Sequence, residues 1–225
     1  MRTFLLTSLL VSMALSTSGC TNDGASLFVI GVGGLGEDCT VDESLGRLNG
    51  VVDVSLSDNL VIFPVFASQL RDRVSPNASN PADIHVQWVD VRLEDLGGNT
   101  LDLGVENPFR VPTNAFIESF MGSGDVPTGV GAVQVLPPGY AEAVRAATGG
   151  TALAALRPIG TTNGQIEVEG NFDYHYQINV CDGCLNRCAV GKEEPVSPCT
   201  PGQNSITITD GCPAGETCMA GVCSP

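Results

Sequence analysis

The cysteines near the C-terminal end of the chain are the side chains whose type and spacing best suggest chemistry. The chain contains nine cysteines in 225 residues. Seven of them follow residue 180, at Cys181, Cys184, Cys188, Cys199, Cys212, Cys218 and Cys223. Closely spaced cysteines serve as zinc ligands, as thiol–disulfide exchange pairs or as structural disulfides, and each use requires different neighbours.

The neighbouring residues favour structural disulfides over the other two uses. A zinc site on Cys181 and Cys184 needs a second close pair or histidines, and residues 181–225 contain no histidine. Thiol–disulfide exchange is an alternative because this pair follows a predicted strand, but Cys188 comes next where redox motifs usually have a clean helix. Such a high cysteine content is typical of a disulfide scaffold in an exported protein, so we expect no metal or other cofactor.

The remaining polar residues predict no catalytic site. The two histidines are His85 and His175, and His175 falls on the polar face of a predicted strand. No Gly-x-Ser-x-Gly elbow of a hydrolase is present. Two acidic groups offer the carboxylates that Ca²⁺ prefers, without matching a calcium-loop signature, and we expect them to be solvated. These groups are Asp38, Asp42 and Glu43, and Asp90, Glu94 and Asp95.

The charge balance excludes nucleic acid as a partner. The chain has 10 Lys plus Arg against 25 Asp plus Glu, which gives a formal net charge of −15. Affinity for a phosphate backbone comes from neutralising it with Lys and Arg, which this chain lacks. With 43% hydrophobic residues the chain is too apolar for disorder throughout, and its length fits one moderate domain with appendages.

Residues 1–19 have the anatomy of a secretory signal peptide, with a short positive end, a largely apolar run over residues 4–15 and small residues up to Gly19. The apolar run is too short to cross a hydrocarbon core of about 30 Å as a helix. Ser18-Gly19-Cys20 resembles the lipobox of bacterial lipoproteins, in which the cysteine is acylated and becomes the new N-terminus. The resemblance implies lipidation of Cys20 and, because Thr21 rather than Asp follows, transfer to an outer membrane.

Lipidation of Cys20 would leave eight cysteines, an even set. Since residues 181–225 hold an odd number, at least one of their cysteines should pair outside the segment, and Cys39 is the available candidate. We predict a bridge from Cys39 to Cys181, Cys184 or Cys188 that staples the two ends of the intervening domain. Residues 211–223 resemble the cysteine- and glycine-rich segments of small extracellular disulfide-knot modules, which implies tight bridged loops.

The residues between Cys39 and Cys181 carry the alternation expected of β-strands. Residues 52–56 alternate between apolar and polar side chains. The apolar run over residues 60–66 is interrupted by Pro64, which predicts an edge strand or a bulge there. In residues 84–93 the apolar positions change phase at Trp88, which predicts a β-bulge.

Further strands are predicted near residues 130–136, 153–159 and 165–169, and residues 172–180 show the clearest alternation in the chain. One short helix is predicted over residues 140–147, where alanines are frequent and two glycines follow. We therefore predict a mainly β fold: an antiparallel immunoglobulin-like β-sandwich with one short helix, plus a small disulfide-rich irregular C-terminal module.

The whole chain then divides into a signal peptide (1–19), lipidated Cys20 with a Gly-rich spacer (20–38), a β-sandwich domain (39–180) and a cysteine-rich tail (181–225). This organisation resembles surface lipoproteins of Gram-negative bacteria. The predicted function is a non-enzymatic, lipid-anchored envelope protein with a structural or protein-interaction role, whose partners are the membrane and an envelope or surface protein. The alternatives are an extracytoplasmic binding protein for a small ligand, glycan or Ca²⁺, and an exported thiol–disulfide enzyme.

Overall fold

A computed structural model describes residues 27–70, 82–119, 125–163, 165–189, 198–209, 212, 215–219 and 221–225. This part of the chain is mainly β with one helix, as the sequence predicts. The signal peptide and Cys20 lie outside the described residues. In chain order the elements are β1 (Leu27–Leu35), β2 (Val41–Asp42), β3 (Asn49–Asp53), β4 (Leu60–Ser68), β5 (Ile84–Glu94), β6 (Phe109–Ile117), β7 (Thr128–Val130), β8 (Val133–Leu136), α1 (Tyr140–Thr148), β9 (Thr151–Thr162), β10 (Glu167–Glu169), β11 (Tyr174–Cys181), β12 (Asn186–Cys188), β13 (Thr207–Thr209), β14 (Thr217–Met219) and β15 (Val222–Ser224).

The larger sheet has six strands in the order β3-β11-β9-β5-β6, with β10 beside β9. Most neighbours are antiparallel, but β3 and β11 run parallel, with Gly50 opposite Ile178 and Asp53 opposite Cys181. The sheet is therefore mixed, and the prediction of a purely antiparallel arrangement is wrong at this edge. More than a hundred residues separate the two strands, so their connection is long enough to bring them together in the same direction.

The smaller sheet has five strands in the order β2-β1-β4-β7, with β8 also beside β4. Pro64 lies in β4, which has neighbours on both sides, so the prediction that it marks an edge strand is wrong. On one side Pro64 is opposite Val32 of β1. On the other side the neighbour changes from β8 at Ile62 to β7 at Val65, so the missing N–H of Pro64 falls where the ladder is interrupted.

The predicted bulge in β5 is confirmed, because its register with both β6 and β9 shifts between Val86 and Trp88. The predicted helix is also confirmed, and α1 ends where Gly149 adopts φ 76°. It is nine residues long, and none of the helices in the described ranges is long and apolar enough to cross a membrane. Phe172, predicted to begin the clearest strand, instead lies outside β11 and is 72% exposed.

Buried apolar side chains of both sheets and of α1 belong to one core cluster. The alternation in β11 places Tyr176, Ile178 and Val180 in this core and leaves the intervening residues on the other face. The helix contributes its Ala141 and Val144 side chains to the same cluster. One continuous core therefore fixes the inner face of β11 relative to both sheets.

Candidate functional site

The disulfides of the cysteine-rich tail set the geometry of the site. Cys39 is bonded to Cys199, with Cα atoms 5.4 Å apart and a sequence separation of 160. The predicted partners of Cys39, namely Cys181, Cys184 or Cys188, are therefore wrong. Cys181 is bonded to Cys184, Cys212 to Cys223, and Cys188 is also in a disulfide. The side chain of Cys218 lies outside the described part of the chain.

Cys39 cannot reach Cys181 because β11 ends beside β3, where a local disulfide already uses the Cys181 sulfur. The tail instead returns to the domain at residues 198–206. There Gln203 accepts a hydrogen bond from the Val61 N–H at 3.0 Å, and the Asn204 side chain accepts one from the Val51 N–H at 2.9 Å. The Asn204 N–H in turn donates to the Val51 carbonyl at 2.9 Å. The returning segment thus satisfies backbone groups of β3 and β4 that strands would otherwise bond.

A cavity of about 480 Å³ lies between this returning segment and the strands β1, β4 and β11. We call it the tail cavity. The Cys39–Cys199 disulfide forms part of its wall. The tail cavity is lined by Val32, Gly33, Gly34, Leu35, Gly36, Glu37, Cys39, Arg47, Val61, Ile62, Phe63, Tyr176, Pro198, Cys199, Thr200, Asn204, Ser205 and Ile206. Its volume falls within the range of small-molecule sites in proteins, and its lining exposes polar and apolar surface in nearly equal amounts.

Tyr176 is one of the residues that line the tail cavity, and its hydroxyl group has no hydrogen-bond partner within the part of the chain that the structure describes. The side chain is 1% exposed, so the hydroxyl is also withdrawn from water. Burial raises the pKa of the Tyr176 hydroxyl far above its ordinary value, although the positive charge of Arg47 acts in the opposite direction. The hydroxyl is therefore neutral at all physiological pH values and able to donate a hydrogen bond.

The sequence around β3 makes room for this tyrosine. Gly50 of β3 lies beside the ring, and a Cβ atom at this position would be only 2.9 Å from Tyr176 Cε1 and 3.0 Å from Leu60 Cδ2. A larger residue at position 50 would push the ring from its place, since these contacts are shorter than van der Waals contact. Glycine at this point of β3 thus lets the tyrosine side chain pack under the tail cavity.

Among the described residues, Arg47 is the one cationic side chain that lines the tail cavity. It is half-buried, and its guanidinium makes no ion pair or hydrogen bond within the part of the chain that the structure describes. Its backbone N–H donates to the Val32 carbonyl at 2.8 Å, which holds the residue against β1. The tail cavity therefore contains an unpaired positive charge in addition to the tyrosine hydroxyl.

The Cys181–Cys184 disulfide lies next to a buried carboxylate, Asp53. This side chain accepts hydrogen bonds from the Gly183 and Leu185 N–H groups, both at 2.7 Å. Burial raises the pKa of Asp53, but hydrogen bonds from Ser55 and from these N–H groups outweigh it and hold the pKa below its ordinary value. An anionic carboxylate within 4.8 Å of both sulfurs disfavours thiolates, which thiol–disulfide exchange needs.

The first group of candidate calcium ligands does not converge. Asp38 accepts a hydrogen bond from the Thr40 hydroxyl at 2.7 Å, and Asp42 accepts one from the Ser44 hydroxyl at 2.6 Å. These hydrogen bonds hold the pKa of Asp38 and of Asp42 below the ordinary value. The carboxylate of Glu43 contacts Thr128 instead. Each carboxylate therefore accepts hydrogen bonds from its own turn or from a separate neighbour, and the three do not form a common site.

The second group is likewise divided among separate partners. Asp90 pairs with Arg110 at 2.6 Å, and Asp95 closes the turn that leads to Asn99. Glu94 contacts both Arg92, at 2.6 Å, and His175, at 3.1 Å. His175 thus lies on the polar face of β11, as the sequence predicts, and is hydrogen-bonded to the Glu94 carboxylate there. His85, the other histidine, packs against Phe116 on the opposite edge of the sheet.

Neither Arg47 nor Tyr176 stands out in the sequence as a site residue. The alternation of β11 predicts that Tyr176 packs in the core, which is confirmed, but it does not reveal that the hydroxyl lacks a partner. The one available signal is the residue type, because a buried tyrosine usually finds a hydrogen-bond partner where phenylalanine would need none. Arg47 lies in a loop between β2 and β3, and only the fold brings it to the tail cavity.

No protein-family model matches this chain, and no curated protein or solved structure shows significant similarity to it.

Proposed function

We propose that this chain is an exported, lipid-anchored protein of the bacterial cell envelope whose folded domain binds a small ligand in the tail cavity. The observation that carries the binding role is the buried hydroxyl of Tyr176, a residue that lines a cavity of about 480 Å³; this hydroxyl has no hydrogen-bond partner among the described residues. Leaving such a group unsatisfied costs stability, so a ligand that completes the hydrogen bond would offset this cost. This favours the small-ligand alternative over a purely structural role.

The export and anchoring parts of the proposal rest on the sequence of residues 1–21. The positive end, the apolar run and the small residues before Cys20 support secretion, and the lipobox-like Ser18-Gly19-Cys20 supports acylation. Diacyl or triacyl modification would anchor the protein stably, because each buried CH₂ group contributes about 0.8 kcal/mol. The absence of Asp after Cys20 supports an outer-membrane location.

For the finer architecture, we propose that the five-stranded and six-stranded sheets stack as a β-sandwich. The shared core supports this, since Leu27 and Phe66 of the smaller sheet belong to one cluster with Val91, Leu156 and Ile178 of the larger sheet. An immunoglobulin-like topology is less well supported, because such domains have antiparallel sheets and β3 runs parallel to β11 here.

The tail completes the proposed binding site instead of forming a separate toughening module. Residues 198–200 and 204–206 supply one wall of the tail cavity, and Cys199 fixes this wall to Cys39. A disulfide holds such a wall in place without a large core of its own, which suits the environment outside the cytoplasm. The cysteine-rich composition is then explained by the need to build one wall of a binding site from loops.

A neutral fluorescent probe, N-phenyl-1-naphthylamine, tests the binding role with the oxidised, full-length mature chain. Ile206 lines the tail cavity and is 50% exposed, so Ile206→Trp should fill the cavity without disturbing the core. Ile166 is 67% exposed and lies outside the cavity, which makes Ile166→Trp the matched control. We expect saturable fluorescence enhancement that Ile206→Trp abolishes and Ile166→Trp preserves. Equal binding by both variants, or none by the wild type, would overturn the proposal.

A further inference from the structure

The polar groups left without partners in the tail cavity are suited to donate hydrogen bonds. Arg47 carries a guanidinium group, which only donates, and Tyr176 carries a neutral hydroxyl. The Asn204 side-chain oxygen, by contrast, is already occupied by the Val51 N–H at 2.9 Å. Neither of these two donors has an acceptor among the described residues, although Glu37 also lines the cavity, and one of the donors is positively charged.

Resting on the proposed binding function, we infer that the ligand is a monoanionic carboxylic acid with an apolar body. Its carboxylate pairs with the Arg47 guanidinium and accepts a hydrogen bond from the Tyr176 hydroxyl. The planar guanidinium matches the two oxygens of a carboxylate, and a charge-assisted hydrogen bond of this kind is about twice as strong as a neutral one.

The apolar part of the ligand follows from the rest of the lining. Val32 and Ile62 are buried beneath the cavity, and Phe63 and Ile206 extend its apolar surface. Burial of an alkyl or aromatic body against these side chains contributes about 25 cal/mol per Å² of apolar surface removed from water. The site therefore selects molecules in which the acid group and the apolar body are both present.

The charge of the protein favours one negative charge on the ligand over two. The chain has a formal net charge of −15, and Glu37, an exposed carboxylate, also lines the tail cavity. A single unpaired arginine balances one negative charge, whereas a phosphate monoester carries nearly two at neutral pH. The repulsion from the surrounding carboxylates would then oppose the second charge.

Displacement of N-phenyl-1-naphthylamine by matched ten-carbon probes tests this inference. Decanoate, decanol and decyl phosphate share the apolar chain and differ in the charge of the head group. We expect decanoate to displace the probe at a concentration about 10-fold lower than decanol needs, as for one charge-assisted contact, and decyl phosphate to be weaker than decanoate. All three are used below the concentrations at which they form micelles.

Variants separate the two head-group contacts from the fold. Arg47→Gln should weaken decanoate binding about 10-fold or more, and Tyr176→Phe about 5-fold, while decanol, whose hydroxyl is a neutral acceptor, should be weakened by a smaller factor in each variant. Arg145→Gln removes one positive charge at a surface ion pair with Asp182, outside the tail cavity, and should change nothing. Binding of the neutral fluorescent probe to each variant shows that the cavity is still formed.

The outcomes distinguish a wrong ligand class from a wrong function. If decanol displaces the probe as well as decanoate does, or if Arg47→Gln and Arg145→Gln behave alike, the carboxylate inference fails while the binding function stands. Stronger binding of decyl phosphate would overturn the assignment of a single charge. If the neutral probe does not bind the wild-type protein at all, the proposed function itself fails.

Discussion

At the scale of single residues, Asp53 connects the end of β3 to the first loop of the tail. It is fully buried and accepts hydrogen bonds from the N–H groups of Gly183 and Leu185 and from the hydroxyl of Ser55. A buried carboxylate is costly unless its oxygens are satisfied, and here four donors satisfy it, because the Ser55 N–H also binds. The ionised form is therefore the one that the fold stabilises.

Replacement of Asp53 by Asn should destabilise the protein by about 2–3 kcal/mol at pH 7, because one backbone N–H would then face an amide donor. Because the pKa of Asp53 is lowered in the folded state, its contribution is present above about pH 4 and is lost as the pH falls through the folded value. The difference in the free energy of unfolding between the wild type and Asp53→Asn should accordingly become smaller below pH 4. Urea unfolding at pH 7 and pH 3 measures both effects.

The exposed Asp58 provides the control for this prediction, because Asp58→Asn changes the same charge outside any buried hydrogen-bond set. We expect it to leave the urea midpoint almost unchanged at both pH values. If Asp58→Asn lost as much stability as Asp53→Asn, net charge rather than the buried hydrogen bonds would determine the loss of stability.

At the scale of elements, the segment that returns at residues 202–204 acts as an additional edge beside β3. The Gly202 carbonyl accepts a hydrogen bond from the Asp53 N–H at 2.8 Å, and Gln203 forms an isolated bridge with Val52. Gly202 has φ 75°, and a Cβ atom there would lie 2.7 Å from the Leu56 Cβ. Glycine is thus required both by the backbone conformation and by close packing.

We expect Gly202→Ala to loosen the returning segment and to lower stability by about 3 kcal/mol, more than the left-handed conformation alone would cost. Gly98→Ala is the matched control, since Gly98 has φ 82° but open space around it, and should cost about 1 kcal/mol. Hydrogen exchange of residues 198–206 should accelerate in Gly202→Ala and stay unchanged in Gly98→Ala. Similar exchange rates in the two variants would contradict the packing argument.

At the scale of the whole molecule, the Cys39–Cys199 disulfide closes the longest loop among the disulfides whose two cysteines the structure describes, since its cysteines are 160 positions apart in sequence. It joins the turn after β1 to the tail, so that these two segments meet at one cavity. In the chain-entropy model a crosslink stabilises by restricting the unfolded chain, and the effect grows with loop length. The same bond therefore serves stability and the shape of the site.

Serine replacement of both Cys39 and Cys199 should lower the free energy of unfolding by about 5 kcal/mol. Serine replacement of both Cys212 and Cys223, which are only 11 positions apart in sequence, should lower it by about 3 kcal/mol. Denaturant titration of the two double variants under oxidising conditions measures the difference. The Cys39 and Cys199 variant should also lose binding of the neutral probe. An equal loss of stability in both variants would contradict the loop-length argument.

Intact mass of the mature protein, extracted from its native membrane, tests the anchored form. We expect an acyl adduct on Cys20 and a gain of about eight hydrogens on reduction, because eight cysteines remain and four disulfides would use them all. A protein without lipid, or with a free thiol after extraction under non-reducing conditions, would contradict the lipoprotein part of the proposal.

Local patterns in the sequence were sufficient for several of the elements of the central domain, but not for β6 or for the short strands of the tail. Each of the successful predictions used the spacing of residues within one continuous segment. These segments are the alternating β11, the apolar β4, β5 with its change of phase, and the alanine-rich α1. The prediction of an edge strand at Pro64 was wrong because a proline indicates only that one backbone N–H is missing. Whether β4 lies at the edge of the sheet depends on strands that are distant in sequence. The parallel pairing of β3 with β11 was hidden for the same reason.

What the sequence by itself determined is the β-rich class, the single helix and the abundance of cysteines available for bridges, all of which follow from residue type and short-range spacing. Only the tertiary structure decided that Cys39 meets Cys199 and that Arg47 and Tyr176 share a cavity. These residues come from four separate parts of the chain. Their proximity results from packing between distant segments, which no local period encodes.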